Sequence, residues 1–128
     1  MYINDICEDV SSSIRLFADD CVLYRSIHTR DDHTALQQDL STLAEWADLW
    51  DMSFNVKKCA HMCISLKRNP LNFDFYINGK AVPKATSYKY LGVTVADNLS
   101  WNTHAQKIQA KAARTLGVVR RALGKCDQ

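Results

Sequence analysis

Apolar positions along the chain change period several times, and the changes mark out its elements. Ile14-Arg15-Leu16-Phe17-Ala18 and Cys21-Val22-Leu23-Tyr24 are short runs rich in aromatic and branched residues, separated by Asp19 and Asp20. That spacing predicts a β-hairpin with the two acids at its tip. From 31 to 50 the period lengthens: Leu36, Leu40, Leu43, Ala47 and Trp50 form one stripe of an amphipathic helix. Thr29, Asp31 and Asp32 supply its N-terminal caps and negative charge. A strand is expected over 60–66, and FDFYINGKAV sets Asn78-Gly79 between apolar runs as a second hairpin. Residues 88–95 read as a further strand in which Gly92 marks a bulge or a close backbone approach. Asp97-Asn98-Leu99-Ser100 offers caps to a second helix over 101–123, with Ala105, Ile108, Ala112, Leu116, Val119 and Leu123 on one stripe. Its other face carries Lys107, Lys111, Arg114, Arg120 and Arg121. The order predicts an α+β fold with a largely antiparallel sheet.

A chain of 128 residues suffices for one domain, with no repeat, low-complexity tract or flexible linker to divide it. The net charge of +2 conceals a division: residues 1–56 carry −8 and residues 57–128 carry +10. Such asymmetry suggests a region that gathers cations followed by one that meets polyanions, although solvated faces also produce it. No apolar run approaches the roughly 18 residues that span a bilayer. The start, MYINDICEDVSSS, has neither a basic n-region nor a long apolar stretch, so an intracellular, non-secreted address is the default expectation. The five cysteines form an odd set without CxxC pairs, which argues for reduced, structural thiols.

The adjacent acids pose the chemical question. Two neighbouring carboxylates repel, and burial in the ionised form is costly unless they are paired or bound to a metal. Asp-Asp is also a second-best choice for a hairpin tip, which favours Asn-Gly or Asp-Gly. Oxygen-rich pairs suit Mg²⁺, which takes one or two protein carboxylates and leaves its other positions to water and phosphates. Polymerases use two such ions in an in-line displacement. Cys59, His61 and Cys63 form a rival set, but their alternate spacing puts them on one face of a strand rather than in zinc-type turns. No zinc is therefore expected, and His28, His33 and His104 suggest no acid–base constellation.

Phe17-Ala18-Asp19-Asp20 resembles the aromatic-x-Asp-Asp box of reverse transcriptases, in the form common among non-long-terminal-repeat (LINE-type, jockey-like) retrotransposons. The likeness continues in order through YINDI at 2–6, LFADDCVLY at 16–24, LQQDL at 36–40 and WADLWDMSFN at 46–55. It goes on through KKCAHM at 57–62, YKYLGV at 88–93, LSWNTH at 99–104 and KAARTLGVVRR at 111–121. The resemblance implies that Asp19 is the stronger metal ligand and Asp20 its partner, with Phe17 and Ala18 near the primer end. Asn55 and Lys58 match the family's Asn-x-x-Lys motif, which places a lysine near the incoming nucleotide's phosphates. Tyr90, Leu91 and Gly92 would form the primer grip in a hairpin, and the basic face of the last helix would track template and primer phosphates.

Residues 1–99 then correspond to the C-terminal part of a palm and 100–128 to the start of a thumb. The family's upstream aspartate, fingers and glycine-containing segment have no counterpart here, so the chain looks like a fragment that begins mid-domain. Two Mg²⁺ ions belong to the intact parent, together with RNA template, DNA primer and deoxynucleoside triphosphates; no membrane partner is implied. Weak or absent metal binding, inactivity in isolation and an uncovered, aggregation-prone sheet edge are the expectations. The alternative is a domesticated remnant that binds nucleic acid without catalysis.

Overall fold

The computed structural model describes residues 10–124. Its elements are β1 (Ser13–Phe17), β2 (Asp20–Tyr24), α1 (Arg30–Leu49), β3 (Tyr76–Ile77), β4 (Lys80–Ala81), β5 (Ser87–Tyr90), β6 (Val93–Ala96) and α2 (Asn102–Leu123). The α+β class is as expected, but the strands form three separate two-stranded antiparallel hairpins instead of one sheet. They belong to two compact units. One takes the described residues through His61 together with Asn69–Lys84, the other Met62–Arg68 and Ala85 onward.

In the first unit, α1 begins where the caps predict. The Thr29 hydroxyl accepts from the Asp32 backbone N–H at 3.4 Å, and the Asp32 carboxylate accepts from the Thr29 N–H at 3.0 Å, closing a capping box. Leu43, Ala44 and Ala47 are buried as the stripe requires, whereas Trp50 ends the helix largely in solvent. Ala44 packs with Ile77 and Val82, and Leu40, Phe54, Val56, Cys59 and Phe75 close over them. Burial pushes the Cys59 thiol above its ordinary range, consistent with a reduced, unreactive side chain.

A two-stranded hairpin is marginal by itself, so α1 must hold both hairpins of this unit. It does so with polar side chains. Gln37 acts as a strand partner to β3: its Oε1 accepts from the Tyr76 N–H and its Nε2 donates to the Tyr76 carbonyl, both at 2.9 Å. Asp39, only 5% exposed, accepts from the backbone N–H groups of Ser11 (3.0 Å) and Ser12 (2.7 Å) and from the Ser11 hydroxyl (3.0 Å). These serines lead directly into β1. Arg25, just past β2, donates to Ser11 Oγ at 3.0 Å and pairs with Asp32 at 3.6 Å, so both ends of the hairpin are tied to α1.

The Asn78-Gly79 turn forms as predicted, with left-handed φ of 49° and 72°. Two strand expectations fail. Over 60–66 there is only an isolated parallel bridge, His61 to Lys84, in which the His61 N–H donates to the Pro83 carbonyl; Pro83 has no N–H to extend it back toward Cys59. Residues 88–95 are two strands, because Leu91 (φ 47°) and Gly92 (φ 84°) turn the chain into the β5–β6 hairpin. Gly92 thus serves a turn and not a bulge.

In the second unit, Thr94 and Ala96 of β6 are buried and the start of α2 packs against them. Thr94 donates its N–H to His104 Nδ1 at 3.1 Å, tying β6 to the first turn of α2. The expected caps of α2 work as successive turns: Asn98 accepts from the Ser100 N–H and Ser100 Oγ from the Asn102 N–H, while Trp101 at the cap position offers no side-chain bond. No residue of α2 is buried, so its apolar stripe faces solvent.

Burial alone would push the Asp39 carboxyl upward, but the hydrogen bonds from Ser12 and Ser11 outweigh it and hold the group below its usual range. A depressed folded value contributes stability that is present above the unfolded value of about 3.9 and lost as pH falls through the folded one. Urea denaturation is therefore expected to show Asp39→Asn destabilised by about 1–3 kcal/mol at neutral pH, with the gap to the native chain closing below about pH 4.

Candidate active site

The β1–β2 register pairs Ser13 with Tyr24, Arg15 with Val22 and Phe17 with Asp20 on one face, and Ile14 with Leu23 and Leu16 with Cys21 on the other. The second face is half-buried. The first is largely exposed, with the Arg15 guanidinium 5.9 Å from the Tyr24 ring centroid.

This register moves the tip by one residue from the sequence expectation. Ala18 and Asp19 make the turn, while Asp20 is already the first residue of β2 opposite Phe17. The two acids are thus held differently, Asp19 by a turn and Asp20 by a ladder. Both are exposed, and neither carboxylate accepts a hydrogen bond among the described contacts. Phe17 stands beside them 60% exposed. Ala18 carries a left-handed φ of 49°, a conformation that costs a residue with a Cβ about 1–2 kcal/mol. Strain is thus stored next to the two acids.

Asn55 and Lys58 occupy a turn soon after α1. The Asn55 carbonyl accepts from the Lys58 N–H at 2.8 Å, and its side-chain oxygen caps the turn by accepting from the Lys57 N–H. Both residues are exposed. Tyr90 ends β5 and Leu91 and Gly92 form the β5–β6 turn in the second unit, with open space around the position a Cβ would take at Gly92. Lys107 reaches Thr94 Oγ1 at 3.4 Å, and Lys111, Arg114, Arg120 and Arg121 lie exposed along α2, which contains no acid.

Among the described residues no three His, Cys, Asp or Glu side chains gather as a metal site. Asp19 and Asp20 offer oxygen donors of the kind Mg²⁺ prefers, enough for a partly hydrated ion and too few for a closed cage. A polar recess of about 330 Å³ lies at the base of the hairpin, lined by Ser11, Tyr24, Arg25 and Asp32, away from the tip. Gln37 and Asp39, within the LQQDL motif, are supporting residues that periodicity did not reveal. The signal for Asp39 was an acid at the edge of the apolar stripe; Gln37 lies off that stripe and had none.

The family model for reverse transcriptase (RNA-dependent DNA polymerase) matches residues 1–95. The chain belongs to the reverse transcriptase family. It is 33% identical over 117 residues to a probable RNA-directed DNA polymerase from the X-element transposon of Drosophila melanogaster, covering 87% of this chain and 13% of that protein. Similarity to the polymerase of the mobile element jockey is 31% over 103 residues in D. melanogaster, covering 80% of this chain and 11% of the relative. For the jockey polymerase of D. funebris it is 33% over 99 residues, covering 75% and 10%. The resemblance to non-long-terminal-repeat, jockey-like enzymes holds, and the chain spans about a tenth of these reverse transcriptases' length. No solved structure matches significantly.

Glycine relieves left-handed strain at an entropic cost of about 0.5–1 kcal/mol, less than the strain itself. Ala18→Gly is expected to raise stability by about 0.5–1 kcal/mol, read as a higher urea midpoint with unchanged slope. An unchanged or lower midpoint would remove the strain at the tip.

Proposed function

We propose that residues 1–99 are the C-terminal part of a reverse transcriptase palm and 100–128 the start of its thumb. The parent enzyme would copy an RNA template from a DNA primer with deoxynucleoside triphosphates. The division at 99 is one of role; in packing, the β5–β6 hairpin goes with α2. The observation that carries the reading is the exposed Asp19-Asp20 pair at a strained hairpin tip in a chain of this family.

Magnesium, when bound, supplies activation of the attacking hydroxyl and stabilisation of the leaving oxygen. Asp19 would be the stronger ligand and Asp20 its partner. Phe17 and Ala18 would flank the primer end, and Lys58, on the Asn55 turn, would face the departing phosphates, where its charge would offset developing negative charge. Tyr90, Leu91 and Gly92 would hold the primer backbone, and the exposed bases of α2 the duplex phosphates.

Among the described residues no third carboxylate joins Asp19 and Asp20, and two alone cannot fix both ions in the geometry of the reaction. The isolated chain is therefore expected to give no primer extension on an RNA template with Mg²⁺. Synthesis that Asp19→Ala abolishes would overturn this inactivity. Metal binding is checked separately: Mg²⁺ at millimolar concentration should move NMR resonances of 17–21 alone, and Asp19→Asn should remove the response. A silent tip would sink the metal reading.

The charge of α2 supports a second reading, a non-enzymatic remnant that binds nucleic acid. It predicts salt-dependent, sequence-tolerant binding in which each of Lys111→Glu, Arg114→Glu and Arg121→Glu weakens affinity and lowers the salt slope by about one phosphate contact. Fluorescence anisotropy across a salt series checks this, and binding indifferent to all three changes would exclude it.

A further inference from the structure

Phosphate binding leaves one surface of α2 unused. Ile108, Ala112, Leu116 and Val119 recur every three to four residues and, with Lys111, line a shallow apolar groove along the helix. Leu116 at its middle is 51% exposed. At 100° per residue, Lys111 flanks this stripe on one side and Arg120 on the other, with no acid anywhere on the helix. A backbone phosphate has no use for the apolar centre, and pairing two α2 helices would oppose like charges along both flanks.

The chain contains a surface of the opposite kind. At the C-terminal end of α1, Leu49 is 80% exposed and Trp50 also faces solvent; the Trp46 and Trp50 rings lie 6.4 Å apart. Glu45 and Asp48 are exposed beside them, and no basic residue occurs from 31 to 56. Acids around an aromatic centre repel nucleic acid and suit a basic, apolar helix. The two surfaces match in both respects, apolar centre to apolar centre and acidic rim to basic rim.

We propose that the apolar stripe of α2, flanked by Lys111 and Arg120, docks on the acidic, aromatic end of α1 in a second copy of this chain. The contact joins two different surfaces. It is therefore heterologous, and association continues into rings or chains instead of stopping at a twofold dimer.

Sedimentation velocity of the nucleic-acid-free chain over a concentration series tests this. Average mass should rise with concentration at low salt, and association should weaken by about tenfold at about 0.5 M salt. The double variants Glu45→Lys with Asp48→Lys, and Lys111→Glu with Arg120→Glu, should each sediment as monomers with unchanged circular dichroism. Mixing the two variants should restore association, because each keeps one native surface. Leu116→Ser, at an exposed position whose change empties no core, should also be monomeric. A native chain that stays monomeric throughout overturns the proposal. So does association indifferent to salt or to Leu116→Ser, or folded variants that fail to recombine.

Discussion

Side-chain clamps from α1 onto hairpin backbones make the first unit possible. Among the described residues its two hairpins have no third strand to complete them, and a two-stranded ribbon does not hold its shape in water. Gln37 and Asp39 solve this from one turn of one helix. Two residues apart they point about 200° from each other, so one reaches β3 and the other the segment entering β1. Each satisfies backbone groups that would otherwise lack partners, which is why a buried carboxylate is tolerated among leucines. Replacing either with an apolar side chain of similar size would keep the helical stripe and lose the hairpin.

That arrangement divides the β1–β2 hairpin into a fixed base and a free tip. Ser11, Ser12 and Arg25 pin the base through Asp39 and Asp32, while Phe17, Ala18, Asp19 and Asp20 project into solvent. A metal-ligating pair needs this combination, because its carboxylates must be positioned by the scaffold yet remain open to ions and substrate oxygens. The left-handed Ala18 belongs to the same design. Turning the chain there, one residue earlier than the alternation suggested, places Asp20 in the ladder and leaves Asp19 in the turn.

Features that depend on local chemistry were legible in the sequence. The capping box, α1, the Asn-Gly hairpin and the existence of a hairpin around Asp19 follow from short-range rules. So did the family, from an ordered series of short motifs. What failed depended on partners. Residues 60–66 have strand character, but pairing with the segment around Lys84 stops at one bridge. YKYLGV runs apolar through a turn because Leu91 accepts a left-handed φ ahead of Gly92, concealing the reversal from a periodicity count. The stripe on α2 was legible as a pattern, but amphipathicity says which face seeks cover and not what provides it.

The charge asymmetry illustrates the same separation of pattern from use. The acidic half of the chain does not act as a single cation-gathering region. Asp32 is spent on the cap and on Arg25, and the backbone N–H groups of His28 and Thr29 hold its carboxyl below the usual range. Asp39 is spent on Ser11 and Ser12, and Asp48 accepts from the Asn78 amide. Asp48 nevertheless stays exposed, and of these three only Asp32 and Asp39 have several donors supplied by the fold. Asp19 and Asp20 have none among the described contacts, and they stand where the backbone is strained and both carboxylates reach water. An acid that the fold leaves uncompensated, at a position it holds in place, remains available to a ligand from outside. Asp31 and Glu45 are exposed as well, so what sets these two apart is the turn and ladder that hold them side by side at a strained tip.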